Sequence, residues 1–480
     1  LDEAGTRLET ITIPPEAGDA SALTVRLTPS LLSAVVDSLN GLAPYARLST
    51  DGLVGHFLAQ GLTYGALRDL EVADVDLTTQ LQNSIAATLE SLYARQNPDG
   101  GWGRWEGESA LDVTAYALLG LSRAKQVGFS VHETALAQAQ AYVYNKLSQD
   151  LQGEVKTAED ALALYVLSAA GLRWPAGAAA TLYAARETLG TRGRAYLALA
   201  LGMTDAADPR LPSLLDGLRG EARITATGAH WENTDDSDMS ADTIVTAWVM
   251  ESLARFAPDD PLLAQAVRWL MLTRYNGWTP QATVHAISGL LVALRVFGDW
   301  DAAYTWNLAL NGVSLAEGAA RAGALDVPVK LRIGFDDRGG ALPGLLRERS
   351  NILEISRAAG PGRLYYVVRL ESALPVASIA AESRGFTVRR DYCAVTDGND
   401  DGFAPCQPVS VLRQGEEVDV RLTLIASRPG VSVLLEDPYP AGLEPDAETV
   451  TRWRAGGWGA PFARRELHDE QAVFIARELA

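Results

Sequence analysis

The sequence has few of the residues that usually build a catalytic or metal centre. Its 480 residues include two cysteines and five histidines, and no two histidines have the spacing typical of metal ligands. It also lacks a Gly-Lys-Ser/Thr phosphate loop and a Gly-x-Ser-x-Gly nucleophile elbow. The sequence therefore predicts no metal site, no cofactor and no catalytic residues.

Basic residues and long apolar segments are scarce as well. The chain has 41 Lys and Arg residues against 60 Asp and Glu residues, and the net charge of −19 argues against a nucleic-acid partner. By inspection, no segment is both long and apolar enough to span a bilayer. The composition, 48% hydrophobic and 21% charged, is that of a globular protein, and this length predicts two to four domains with a sizeable core.

The two cysteines, Cys393 and Cys406, lie close together in a segment rich in loop-forming residues. A local disulfide between them would favour an exported protein. Two free thiols are the other interpretation, and one pair of cysteines does not decide the compartment.

The chain is organised around a turn at residues 96–105, where Asn-Pro-Asp-Gly-Gly is followed by Trp102 and Trp105. Helical apolar patterns lie on both sides, and Pro and Gly separate them. Two further short connections carry Trp231 and Trp278, each before a helix rich in Ala and Leu. Taken alone, each could be a simple helix–helix turn with an anchoring tryptophan. Repeated helix pairs instead predict an α/α toroid with an inner and an outer ring of helices.

The two ends of the chain have a different pattern. Residues 1–28 contain two short strand patterns, and helical patterns then follow to about residue 311. From residue 312 onward, alternation at period two and clusters of turn residues predict an all-β tail with the spacing of a sandwich. The leading strands and the first tail strands are expected to form one β domain into which the toroid is inserted. The predicted fold class is thus multidomain, with both α and β parts.

Three stretches near the end of the chain carry a family resemblance. Residues 384–392 resemble a Gly-Phe-x-Val-x-Arg-x-Tyr opening, residues 414–422 resemble the next strand, and residues 435–445 resemble a Glu-Asp-Pro-x-Pro-Ala-Gly-x-Glu segment. With the order of elements, they are similar to the C-terminal part of a bacterial alpha-2-macroglobulin. In that family a helical thioester domain is inserted in a CUB-type β domain, and an immunoglobulin-like macroglobulin domain follows.

This resemblance implies a division of the chain into domains. CUB-like strands are expected at residues 1–28 and 312–375, with a thioester-domain-like toroid at residues 29–311 between them. A C-terminal macroglobulin (receptor-binding-like) β-sandwich is expected at residues 376–480, and its final strands are expected to be missing after Ala480.

The resemblance also identifies a degenerate position. Family members with working chemistry carry Pro-Tyr-Gly-Cys-Ala/Gly-Glu-Gln before a helix that continues to a Phe-Leu pair, and the Cys and Gln side chains form a thioester that acylates proteases. Aligned on Phe57 and Leu58, the last four positions are here Ser49, Thr50, Asp51 and Gly52, which are expected to form a loop. No cysteine precedes Cys393, so the protein is predicted to form no thioester.

The function implied by the resemblance is broad inhibition of endopeptidases. Cleavage of a bait region, which would lie upstream of Leu1, triggers a collapse that entraps the protease. Without a thioester, capture would be steric and non-covalent. The implied partners are endopeptidases, and the implied location is the periplasm or the cell surface, with room for a membrane tether in a missing N-terminal region. A cell-surface binding or adhesion module without inhibition is the alternative.

An acidic run at residues 233–238 suggests a different class of protein. It resembles the Asp-x-Asp-Asp motif of squalene-type cyclases, with Asp235 and Asp236 as candidate acids. Such an acid needs a dry, aromatic-lined cavity. The run precedes a helix near Asp242, where Asp, Ser and Thr are common, and the β tail is foreign to cyclases. The cyclase interpretation is therefore remote.

A second acidic run, at residues 397–402, begins like a calcium loop with Asp-x-Asn-x-Asp-Gly. The twelfth position is Pro408, where a bidentate Glu is expected. An acidic turn between the two cysteines is the simpler interpretation.

Overall fold

A computed structural model describes residues 1–18, 21–40, 42, 49–72, 74–104, 107–233, 241–274, 278–326, 328–334, 345–347, 350–374, 382–383, 385–395, 406–426, 430–446, 462–468 and 470–479. The chain divides into two compact units, Leu1–Pro375 and Val376–Ala480.

Twelve α-helices make up most of the described part of the first unit. They are α1 Leu31–Asn40, α2 Thr50–Asp69, α3 Val75–Tyr93, α4 Leu111–Gln126, α5 Glu133–Asp150, α6 Ala158–Ala169, α7 Ala178–Ala184, α8 Gly190–Thr204, α9 Leu211–Gly220, α10 Ala241–Phe256, α11 Pro261–Thr273 and α12 Pro280–Phe297. Side chains at the N-termini cap several of them. Thr157 and Asp160 form a reciprocal capping box at α6, and Thr279 caps α12 ahead of Pro280.

The even-numbered helices form a closed ring. Each of α2, α4, α6, α8, α10 and α12 packs on the next, and α12 packs on α2. The odd-numbered helices pack outside them. Buried Ala and Leu side chains fill the space between the two layers, because small side chains let helices approach closely. The predicted α/α toroid is therefore confirmed.

Helix α12 contradicts the prediction that no segment is both long and apolar enough to span a bilayer. Pro280–Phe297 is long and apolar enough to cross a membrane, although no such segment was expected. It is an inner-ring helix, and 61% of it is buried inside the protein. A helix that is apolar on most sides is equally typical of a protein core, which is where this one lies.

Strands from both ends of the first unit pair with each other. They are β1 Gly5–Thr12, β2 Ala22–Thr28, β5 Tyr304–Leu310, β6 Val313–Ala320, β7 Val329–Gly334, β8 Ser350–Arg357 and β9 Tyr365–Glu371. They form two antiparallel sheets, in the orders β1-β8-β5-β6 and β7-β2-β9. The N-terminal strands thus complete sheets whose other strands follow the helices, which is the predicted insertion. A short hairpin, β3 Arg223–Thr225 and β4 Gly228–His230, lies among the helices and was not predicted.

The sequence pattern predicted that the helical segment ends at about residue 311, but it ends one strand earlier. Helix α12 ends at Phe297, where Gly298 takes a left-handed backbone with φ of 68°. Strand β5 then already pairs with β6 and β8. Its buried side chains, Trp306, Leu308 and Leu310, alternate along the strand and belong to the β core.

The second unit contains five described strands. They are β10 Phe386–Ala394, β11 Val418–Ala426, β12 Gly430–Pro438, β13 Phe462–Leu467 and β14 Gln471–Leu479. Strands β10 and β11 form one antiparallel pair, and β12, β14 and β13 form a three-stranded sheet in that order. Within the described residues from 312 onward, the all-β tail predicted from period-two alternation is confirmed.

Candidate functional site

Residues 49–52, the position expected to correspond to the thioester motif, lie at the beginning of helix α2. Ser49 is the N-cap residue, and its Oγ accepts a hydrogen bond of 2.9 Å from the backbone N–H of Gly52. Residues 50–52 form the first helical turn, so the loop predicted here is wrong. Gly52 occupies the N3 position, whose N–H an N-cap side chain normally satisfies. The Asp51 side chain lies outside the described residues.

These positions offer neither half of a thioester. Ser49 has a hydroxyl that serves as a capping acceptor, and Gly52 has no side chain. Cys393 and Cys406 form a disulfide in the second unit, with the sulfur atoms 1.97 Å apart. Since the chain has no other cysteine, no thiol is available to form an acyl bond.

Two turns further along α2, a buried polar pair follows the cap. The Nε2 atom of His56 lies 2.8 Å from Nε2 of Gln60, which also donates to Oγ of Ser84 at 2.5 Å. Burial lowers the pKa of His56, so this imidazole is neutral at pH 7. His56 lies seven residues beyond Ser49, about 10 Å along the helix axis, too far to act as its base. We interpret the pair as a contact between α2 and α3.

The tryptophan turn lies next to the same helix start. The N–H of Thr50 donates to the carbonyl of Arg104 at 3.1 Å. Trp102 is fully buried; its backbone N–H donates to Oγ1 of Thr114 at 2.9 Å, and its indole N–H donates to the carbonyl of Leu92 at 2.8 Å. Gly100 adopts φ of 89°, and a Cβ there would lie 2.6 Å from the Gln138 carbonyl oxygen. The turn is therefore a tightly packed joint between outer and inner helices, while Trp105 lies outside the described residues.

The second turn repeats this arrangement. The backbone N–H of Trp231 donates to Oγ1 of Thr246 at 3.0 Å, and its indole N–H donates to the carbonyl of Leu218 at 2.6 Å. The repeat predicted from sequence is thus present at two turns. The threonine partner was not predicted, although Thr114 and Thr246 both lie in the first two turns of the helix that follows.

The third turn differs from the other two. Trp278 is only half-buried, and its indole N–H donates to Oγ1 of Thr273 at 3.3 Å. The residues before it, 275–277, lie outside the described residues.

The inside of the ring is filled by aromatic side chains. Trp248 packs edge-on against Tyr165 and Tyr196, with ring centroids 5.4 and 4.9 Å apart, and also contacts Tyr116 and His285. These five residues come from five of the six inner helices. The hydroxyls of Tyr116 and Tyr196 are 2.9 Å apart. These rings therefore pack against one another between the inner helices.

Burial keeps the titratable groups in this cluster neutral. It lowers the pKa of His285 to about 3 and raises the pKa values of Tyr165 and Tyr196 well above the usual range. Glu251 carries a carboxylate beside them; it accepts from the Tyr165 hydroxyl at 3.3 Å and pairs with Arg255 at 2.9 Å. The candidate cyclase acids, Asp235 and Asp236, lie outside the described residues.

Histidines elsewhere have packing roles. His132 stacks on Tyr93 and His230 on Trp269, with ring centroids 4.0 and 4.8 Å apart. Across the described ranges, no group of three or more His, Cys, Asp or Glu residues could hold a metal ion. The candidate calcium loop at residues 397–402 falls outside those ranges.

The C-terminal part of the chain matches a known family of protein domains. Residues 385–480 match the family model described as the bacterial alpha-2-macroglobulin MG10 domain. A comparison with curated protein sequences gives no match.

Solved structures match nearly the whole chain. Native alpha-2-macroglobulin from Escherichia coli, spanning domain MG7 to the C-terminus, is 15% identical with a TM-score of 0.52, and the match covers 99% of this chain and 75% of that one. The Salmonella alpha-2-macroglobulin mutant Y1175G gives 17% identity and a TM-score of 0.53, covering 99% of this chain and 31% of that one. The cryo-EM structure of the native Escherichia coli protein gives 16% and 0.52, covering 99% and 30%.

At these identities the structural matches show a shared fold, and the chain spans about three tenths of the two longer relatives. The match to the family model and the match of the fold are separate comparisons, and both are to bacterial alpha-2-macroglobulins. The predicted resemblance is therefore confirmed: residues 385–480 match a bacterial alpha-2-macroglobulin MG10 domain, and the whole chain has the mixed helical-toroid and β-domain fold of the C-terminal region of that family.

Proposed function

We propose that this chain is part of a thioester-less bacterial alpha-2-macroglobulin that inhibits endopeptidases by steric, non-covalent trapping. The observation that carries the proposal is the start of α2, where the Ser49 hydroxyl caps an ordinary helix N-terminus. Covalent capture needs an activated acyl group, and neither a thiol nor a carboxamide is present at these four positions. What remains is enclosure of the protease by the collapsed parent protein.

The toroid would then serve as a packing module. Its inner face is occupied by aromatic side chains, and its turns are anchored by buried tryptophans, so its shape is held without a ligand. In this proposal the chain binds proteases and catalyses no reaction. The division into CUB-like, toroid and macroglobulin domains remains part of the proposal. The end of the toroid is moved from residue 311 to before Tyr304, where strand β5 begins.

The proposed location is the periplasm or the cell surface. The Cys393–Cys406 disulfide supports an oxidising compartment, because disulfides persist mainly outside the cytosol. A membrane tether would belong to a part of the parent protein upstream of Leu1.

The test uses the full-length parent protein mixed with several endopeptidases. Residual protease activity is measured on a large protein substrate and on a small peptide. Trapping predicts loss of cleavage of the large substrate, while cleavage of the small peptide is retained. No protease adduct should survive denaturing electrophoresis, and methylamine treatment should release no thiol.

A thioester-containing alpha-2-macroglobulin is the matched control, since it should give both the adduct and the thiol. Full activity on both substrates with every protease would overturn the inhibitor proposal and favour a surface-binding module. A denaturation-resistant adduct would overturn the non-covalent part alone.

A further inference from the structure

Strand β1 forms one edge of the four-stranded sheet β1-β8-β5-β6. It pairs with β8 in an unbroken register over its eight residues, and β8 is its only strand partner in the described part of the chain. The residues from Gly5 to Leu8 are all exposed. An edge strand of this kind presents unpaired backbone N–H and C=O groups, to which another strand can add.

This edge lacks most of the features that prevent such an addition. β1 contains no proline, and its register with β8 has no bulge. Leu8, near its middle, is 60% exposed. Charged side chains are the remaining form of protection, and the two in β1, Arg7 and Glu9, have opposite signs. They do not repel a strand of the same sequence that runs in the opposite direction.

Residues 6–10 read Thr-Arg-Leu-Glu-Thr, an order that is self-complementary about Leu8. When two such strands pair antiparallel with Leu8 opposite Leu8, Arg7 of each copy lies opposite Glu9 of the other, and Thr6 lies opposite Thr10. Opposite charges and paired threonines stabilise an antiparallel pair when they lie directly across from each other, and the two exposed leucines would cover one another.

Both charged side chains are available for this pairing. They lie on the same face of β1 as the buried Ile11, since side chains alternate along a strand. Glu9 accepts a hydrogen bond from the Tyr366 hydroxyl at 2.5 Å through Oε1, and Oε2 is left for a second copy. Across the described ranges, neither Arg7 nor Glu9 forms an ion pair within its own chain.

We propose that two copies of this chain associate through β1, as antiparallel strands related by a two-fold axis that passes between their Leu8 residues. The two edge strands would join the four-stranded sheets of both copies into one continuous sheet. Such an interface is isologous, because each copy contributes the same residues. One pair of strands buries little surface, so the association is weak and depends on protein concentration.

Sedimentation equilibrium of the full chain over a range of protein concentrations tests the proposal. The wild-type chain should form dimers. Arg7→Glu places two carboxylates opposite each other across the interface, and Glu9→Arg places two guanidinium groups there. Each variant should weaken association by about tenfold or more, because like charges now face each other.

Charge exchange makes the test specific for this register. The double variant Arg7→Glu/Glu9→Arg restores opposite charges at both positions, and its association should return to within about threefold of wild type. A mixture of the two single variants should also form mixed dimers, since each supplies the charges that the other lacks. A general loss of folding or solubility would not produce either rescue.

Three further variants control for the fold. Tyr366→Phe removes the hydrogen bond to Glu9 without changing a charge, and it should associate as the wild type does. Leu8→Lys places two ammonium groups on the two-fold axis and should abolish dimers even if Glu9→Arg fails to fold. Val155→Lys, at a residue that is 76% exposed, is the matched control and should associate normally.

Two results would overturn the proposal. One is a wild-type chain that remains monomeric up to about 100 μM, the range in which weak specific complexes form. The other is a dimer whose association is the same in wild type, Arg7→Glu and Leu8→Lys, because that dimer would use another surface.

Discussion

The Oγ atom of Ser49 lies 2.9 Å from the backbone nitrogen of Gly52, and the two residues are the N-cap and the third residue of helix α2. In the alignment that the family resemblance implies, these two positions would correspond to the cysteine and glutamine of the thioester. Here they form a helix cap, in which the Ser49 side chain accepts from the backbone N–H of Gly52.

Replacing the capping hydroxyl tests this interpretation. Ser49→Ala should lower the free energy of unfolding by about 1 kcal/mol, because the Gly52 N–H loses its partner. Urea unfolding followed by circular dichroism measures the change, and Ser49→Asp is the matched control that keeps the cap. Protease trapping by the parent protein should not change with either variant. Loss of trapping in Ser49→Ala at unchanged stability would give Ser49 a chemical role instead.

The architecture of the first unit could be predicted from the sequence, because helical periodicity and tryptophan turns recur along it. The start of α2 could not be predicted, because glycine usually disfavours a helix and only the structure shows that the Gly52 N–H is capped. The register of β7 against β2 could not be predicted either. Alternation places Lys330 and Arg332 on one side of a strand, but nothing in it pairs that strand with Arg26 some 300 residues earlier.

The two equivalent tryptophan turns should respond equally to loss of their threonine. Thr114 and Thr246 are fully buried, and each hydroxyl accepts the backbone N–H of a buried tryptophan. Thr114→Val and Thr246→Val should each cost about 1–3 kcal/mol, because a buried N–H is left without a partner. Chemical unfolding measures both, with the exposed Thr79→Val as control, expected within about 0.5 kcal/mol of wild type. Unequal losses would show that the two turns are not equivalent.

A buried carboxylate links the end of the helical ring to strand β9. Asp299 is fully buried and accepts hydrogen bonds from the Tyr365 hydroxyl at 2.5 Å and from Arg363 at 3.4 Å. Burial nonetheless raises its pKa from 3.8 to about 6. The folded state therefore binds this proton more tightly than the unfolded state. The resulting stability is present below pH 4 and is lost as the pH rises through 6.

Asp299→Asn should remove that loss. The free energy of unfolding of the variant, minus that of wild type, should increase by at most about 3 kcal/mol as the pH rises from 4 to 7. Urea unfolding at both values measures the difference, and Asp301→Asn, an exposed carboxylate on the same turn, controls for the loss of one negative charge. A difference that is constant with pH would show that Asp299 does not titrate in this range.

His285 gives the opposite dependence on pH. Its ring lies 5.2 Å from that of Tyr116 and 5.4 Å from that of Trp248, and burial lowers its pKa from 6.5 to about 3. Because the unfolded state binds the proton more tightly, this contribution to stability is present above pH 6.5 and is lost as the pH falls toward 3.

Replacement of His285 should therefore reduce acid sensitivity. His285→Leu removes the titrating ring, so it should lose less stability than wild type as the pH falls from 6.5 to 4.5. At pH 4.5 the two losses in free energy of unfolding should differ by about 2–3 kcal/mol. Melting temperatures across this range measure it, and His132→Gln is the matched control because His132 is exposed and stacks on Tyr93 at the protein surface. If wild type and His285→Leu lose stability in parallel, the centre of the ring admits a charged imidazole. The packed aromatic cluster would then be open to water, and the toroid would have the accessible centre that a packing module does not need.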